Sequence, residues 1–153
     1  MLGAICEPPG REGCRGGWKF LFSGIKTMPY TIHYNEEMHL IEMKHAGKLV
    51  FGESITMTNE MLKMSREKNC HRVLSDYRET ILSLSTLEIY KMPRVIHEAA
   101  ASVGLDARHF KRALIAGKNS QALRFFEIMT HDLGQVAKVF FHIDEARAWL
   151  LQD

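Results

Sequence analysis

The apolar positions of this chain change period several times, and each change marks an element. Thr31-Ile32-His33-Tyr34 predicts a short strand, and Asn35-Glu36-Glu37 a turn. Leu40 to His45 then alternates, with Ile41, Met43 and His45 on one face and Glu42 and Lys44 on the other. Period-two alternation on both sides of a polar turn predicts an opening hairpin. Helical spacing follows. A helix from Thr58 to Lys68 is expected, with Thr56 or Thr58 as N-cap and Glu60 in its first turn. Met57, Met61 and Met64 recur on one face of it beside Leu62. Such a stripe suits a core, and it also suits an adaptable binding surface.

His71 to Leu74 predicts a third strand, closing at Ser75-Asp76. Ser85-x-x-Glu88 reads as a capping box, which opens a helix. Ile89, Met92, Ile96, Ala99, Ala100 and Val103 hold one face of that helix, and Gly104 closes it. Pro93 is expected to kink the helix or to restart it. Ala113 to Ala116 is a continuous apolar run bounded by Gly117, the pattern of a strand buried on both faces. Asn119 or Ser120 caps the next helix, whose inner face is Ala122, Leu123, Phe126, Met129 and Leu133, with Gly134 as its stop. Val136 to Phe141 predicts the last strand, and Asp144 the cap of a short terminal helix with Ala146, Trp149 and Leu150 inward.

The resulting order is β-β-α-β-α-β-α-β-α. Strands alternating with helices imply right-handed crossovers and one mostly parallel sheet, to which the N-terminal hairpin adds an antiparallel edge. The fold class is α/β. Residues 1–27 read differently. Pro8-Pro9-Gly10 and several glycines interrupt every apolar period, leaving Trp18 to Phe22 as one apolar patch. This segment is expected to be an N-terminal extension, disordered or upstream of a natural start at Met28, with a docking arm as the alternative. The domain is expected to span 28–153.

Composition narrows the class. Across 153 residues, 46% are hydrophobic and 25% charged, which are ordinary globular values and allow one core. A net charge of +2 does not call for nucleic acid. The basic run Arg108-His109-Phe110-Lys111-Arg112 reads as a solvated loop entering the sheet. No stretch approaches the ~20 apolar residues of a membrane span, and the first residues lack a secretory pattern. Cys6, Cys14 and Cys70 form no CxxC pair, which suits a reducing, cytoplasmic setting. The eight histidines show no metal-ligand spacing, so neither metal nor cofactor is expected.

Four segments carry a resemblance: the strand end Leu74-Ser75-Asp76, the run Ala113-Leu114-Ile115-Ala116, Arg124-Phe125-Phe126-Glu127, and the closing Val139-Phe140-Phe141-His142-Ile143-Asp144-Glu145-Ala146-Arg147-Ala148-Trp149-Leu150. Together they resemble the SpoIIAA-like branch of the STAS superfamily, a group linked to the CRAL-TRIO lipid-binding fold. The resemblance covers roughly residues 30–151 and implies a non-enzymatic regulatory module that binds another protein. In well-understood members a serine at a helix N-terminus, nine residues past the aspartate ending the preceding strand, accepts a phosphate. Counting from Asp76 reaches Ser85, with Thr86 beside it. The family's Asp-Ser-Ser-Gly is here Leu84-Ser85-Thr86-Leu87, without the flanking aspartate or the glycine. A plain N-cap serine explains the same position.

Other readings stand beside this one. By analogy with CRAL-TRIO domains, a small apolar ligand would lie between sheet and helices, lined by Met57, Met61, Met64 and Phe126. Gly117-Lys118-Asn119-Ser120 marks the carboxyl edge of the sheet, where open α/β folds bind ligands, and it offers an anion a turn of backbone N–H groups. It is not a P-loop, because Arg112 and Asn119 stand where that motif needs Gly and Ser. Asp76 and His142 end strands on that edge, so acid–base chemistry is the enzymatic alternative. An exposed edge strand would permit a homodimer.

Overall fold

The computed structural model describes residues 29–153, so the expectations for residues 1–27 lie outside the described residues. Five strands form one sheet: β1 (Tyr30–Asn35), β2 (Leu40–Leu49), β3 (Arg72–Leu82), β4 (Lys111–Ile115) and β5 (Val136–Phe140). They lie in the order β1-β2-β3-β4-β5. The pair β1–β2 is antiparallel, and every later pair is parallel. The helices are α1 (Phe51–Lys68), α2 (Thr86–Ser102), α3 (Ser120–Asp132) and α4 (Ile143–Leu151). This is the α/β order that the sequence implied, one mostly parallel sheet with an antiparallel N-terminal edge.

Strands that follow one another in sequence are neighbours in space. Right-handed crossovers therefore put α1, α2 and α3 on one face of the sheet. Met57, Met61, Leu62, Met92, Ile96 and Ala100 pack there on Ile41, Met43 and Val73, and Leu123 packs on Leu114, Ala137 and Val139. Among the described residues the opposite face is covered by α4 alone, through Ala146 and Leu150 against Leu40, Leu74, Ala113, Ile115 and Phe140. The alternation of β2 decides this division, sending Ile41 and Met43 to one layer and Leu40 to the other. Leu40, Ile41, Ile115 and Leu150 are all fully buried, each worth roughly 1.5–3 kcal/mol over an exposed position.

Several boundaries differ from the sequence expectation. Helix α1 begins at Phe51, seven residues before Thr58, and its N-cap is Val50 without a side-chain bond. Thr56 and Thr58 are interior to it, their hydroxyls donating to the carbonyls of Gly52 and Ser54 one turn back. Gly52 and the β-branched threonines had masked that first turn. Strand β3 runs on past Asp76 to Leu82, pairing with β2 beyond the end of β4 through a register shift. No restart occurs at Pro93, since one helix spans Thr86 to Ser102 with Pro93 buried inside it. Asp144 lies in the first turn of α4, whose N-cap is His142. Gly104 and Gly134 follow α2 and α3 at φ 79° and 73°, the left-handed stop expected of glycine.

Candidate functional site

Three regions answer to the sequence expectations, and they differ in how their polar groups are satisfied. The first is the start of α2. Ser85 N-caps the helix, its hydroxyl accepting the Glu88 N–H at 3.1 Å. Ser85 and Thr86 are both exposed. Within five residues of Ser85 in the chain, Ile81, Leu87 and Tyr90 stand in solvent at 69%, 58% and 60% exposure. The capping box was legible from Ser85 and Glu88; the exposure of these apolar side chains was not, because only the tertiary packing decides which positions stay uncovered.

The second region is the carboxyl edge of the sheet. Asn119 Oδ1 accepts the Gly117 N–H at 3.1 Å, and Asn119 Nδ2 donates to the carbonyls of Tyr77 at 3.0 Å and Thr80 at 3.3 Å. The side chain that reads as an anion-site or cap residue thus staples the loop to β3, and the Gly117 amide is already occupied. A Cβ on Gly117 would stand 2.7 Å from the Arg78 carbonyl, so glycine is what lets the two backbones touch. Lys118 is exposed and Ser120 half-buried. Asp76 is buried, and Arg78 holds it through its backbone N–H at 3.0 Å and its side chain at 3.0 and 2.7 Å. Burial alone would raise the Asp76 carboxyl; the Arg78 hydrogen bonds and charge, with Lys44, outweigh it and keep the group below its ordinary range. His142 is exposed at the start of α4, and the carboxylate proposed to face it is engaged with Arg78.

The third region is a cavity of about 90 Å³ between the sheet and α1, α2 and α3. Met57, Met61 and Phe126 line it, and Met64 packs against the core outside it. Met43 and Met92 join the lining. The half-buried Leu82, Leu84, Ala122 and Phe126 form its solvent side, immediately before Ser85.

Sequence reasoning missed the polar corner of this cavity. Ser75, Tyr77 and Arg112 all line it. The Arg112 guanidinium donates to Gln135 Oε1 at 2.8 Å and rests 5.5 Å from the centre of the Phe126 ring. Its Nε has no hydrogen-bond partner, and no carboxylate of the described residues pairs with it. Burial lowers the Arg112 pKa to about 10, slightly opposed by Tyr77, so the group remains charged at neutral pH. Burial likewise pushes the Tyr77 phenol above its ordinary range, with Ser75 and Arg112 pulling the other way. The sequence had placed Arg112 in a basic loop. The signal that could have found it is register, since Arg112 is two residues before Leu114 on the same strand and therefore shares its face.

Two further buried polar clusters are complete. His45, fully buried, meets Thr80 Oγ1 at 3.0 Å and Glu53 Oε1 at 3.2 Å. Glu42 receives Arg147 at 3.1 Å and His33 at 3.1 Å, tying α4 to the edge hairpin. Among the described residues, no group of His, Cys, Asp and Glu is arranged to hold a metal ion, and no helix is long and apolar enough to cross a membrane.

No family model matches the sequence, and no curated protein matches it. Among solved structures the chain is similar to the anti-sigma factor antagonist SpoIIAA in its unphosphorylated form, at 6% identity, covering 79% of this chain and 96% of that one with a TM-score of 0.47. It is also similar to an uncharacterised DUF3478-family protein with a SpoIIAA-like fold from Shewanella loihica PV-4, at 20% identity over 83% of this chain and 99% of that one, with a TM-score of 0.45. At such identities the likeness concerns architecture alone.

Proposed function

We propose that this protein is a non-enzymatic regulatory module of STAS type, acting in the cytoplasm, that docks another protein through the surface around the N-terminus of α2. The observation that carries this reading is the exposure of Ile81, Leu87 and Tyr90 beside Ser85. Leu87 and Tyr90 are three residues apart and share a helix face. Large side chains clustered in solvent cost solubility unless a partner covers them. A phosphate on Ser85 or Thr86 would meet the positive end of α2 and change the charge of the docking surface in one step. The test is affinity capture from the native host with the wild-type chain and a Leu87→Asp/Tyr90→Asp variant. A discrete partner held by the wild type and lost from the folded variant supports the reading; identical captures from both overturn it. Phosphopeptide mapping that finds Ser85 and Thr86 unmodified under every growth condition would remove the phosphate from it.

The cavity favours a second reading, a carrier or sensor of a small apolar ligand. An apolar hollow lined by Met57, Met61, Met92 and Phe126 has adaptable walls. Native mass spectrometry of the protein from its own host would show a retained small molecule.

A further inference from the structure

An ordinary core closes its polar groups, and this cavity does not. Arg112 is 5% exposed and carries a full positive charge into a space walled mostly by apolar side chains, with the hydroxyls of Ser54, Thr58, Ser75 and Tyr77 among them. Taking a guanidinium out of water is costly unless a counter-charge and hydrogen-bond acceptors replace the lost hydration. Gln135 supplies one acceptor, and Nε has none. The missing elements are an anion and a second acceptor, and a carboxylate supplies both, because its two oxygens match adjacent guanidinium N–H groups.

The surroundings narrow the class further. One guanidinium balances one negative charge, so a monoanion fits where a dianion would leave net charge buried. The volume is several times the ~10–15 Å³ that a single water requires, enough for a compact organic body. The hydroxyls of Ser75 and Tyr77 lie on the same face of β3, next to β4, where Val73 stands opposite Arg112. The charged group of the lining, Arg112, comes from a strand, and α1 and α2 add the methionines Met57, Met61 and Met92. We propose that the cavity binds a small amphipathic monocarboxylate, its carboxylate held by Arg112 beside Ser75 and Tyr77, and its apolar body among Met57, Met61 and Met92. This rests on the ligand-carrier reading above and adds the ligand's chemistry to it.

The test uses the full chain with 13C-methyl methionine labels and three probes of equal length: hexanoate, hexan-1-ol and hexylamine. Hexanoate is expected to shift the methyls of Met43, Met57, Met61 and Met92, leaving Met38 on the opposite face unmoved, and to bind at least tenfold more tightly than hexan-1-ol at pH 7. Hexylamine is expected to bind at least tenfold more weakly than the alcohol. In Arg112→Met the preference for hexanoate over the alcohol falls below threefold while the alcohol still binds. Equal binding of hexanoate and alcohol by the wild type overturns the anion inference and leaves the carrier reading standing. Failure of hexanoate and the alcohol alike to move the cavity methyls overturns both.

Discussion

Glu42 and Asp76 on one face of the sheet and Arg112 on the other are buried charges treated in opposite ways. Under α4, Glu42 is matched by Arg147 and His33, and Asp76 by Arg78. Under the three crossover helices, Arg112 lines a hollow with no carboxylate partner among the described residues, and its Nε is unpaired. Paired charges on a packed face serve the fold, since each removes the desolvation penalty of its partner. An unpaired charge beside empty space does not, and it marks where the protein can gain from a ligand.

Substitutions can break this comparison, and packing should give the largest effect. Leu150→Ala on the α4 face is expected to cost about 3–5 kcal/mol, and Met57→Ala at the cavity about 2–3 kcal/mol, because Met57 already borders empty volume. Urea titration measures both, and equal losses would show that the cavity is packed like the rest of the core. Next comes Glu42→Leu, expected to cost about 1–2 kcal/mol, since it strands Arg147, which still reaches water.

Asp76 adds a dependence on pH. Its carboxyl is held below the ordinary 3.8, so its contribution is present above the unfolded value and lost as pH falls through the folded one. Asp76→Asn should therefore be less stable than wild type at pH 7, with the gap closing as the pH falls below about 4; a gap constant with pH would count against the Asp76–Arg78 pair. Ser85→Ala is expected to lose about 1 kcal/mol of capping, and Ser85→Asp almost none, because aspartate caps equally well.

The smallest effect is the sharpest test. Arg112→Met should change stability by less than about 1 kcal/mol in either direction, as release of a desolvated charge offsets the orphaned Gln135 oxygen. A loss beyond about 3 kcal/mol would place Arg112 among the structural charges and erase the contrast between the faces.

Much of this molecule is written locally. Two-residue alternation in β2, the buried run Ala113–Ala116, the Ser85–Glu88 box and the stops at Gly104 and Gly134 each follow from neighbours in the chain, so strand and helix order, fold class and the N-cap at Ser85 were legible. The early start of α1 was not, because Gly52 and the threonines weaken local propensity while packing of Phe51 and Met57 against the sheet overrides it. The extension of β3 to Leu82 depends on a partner strand about thirty residues earlier, and no local pattern announces a pairing. The site follows the same rule. Met57, Met61 and Phe126 were readable as apolar faces, but which of them border a hollow is fixed by how three helices meet. Asn119 was readable as a turn residue, but its bonds to Tyr77 and Thr80 need β3 alongside. Arg112 is the extreme case: it closes a basic run in sequence, its neighbours in space are largely apolar, and desolvation is a property of space.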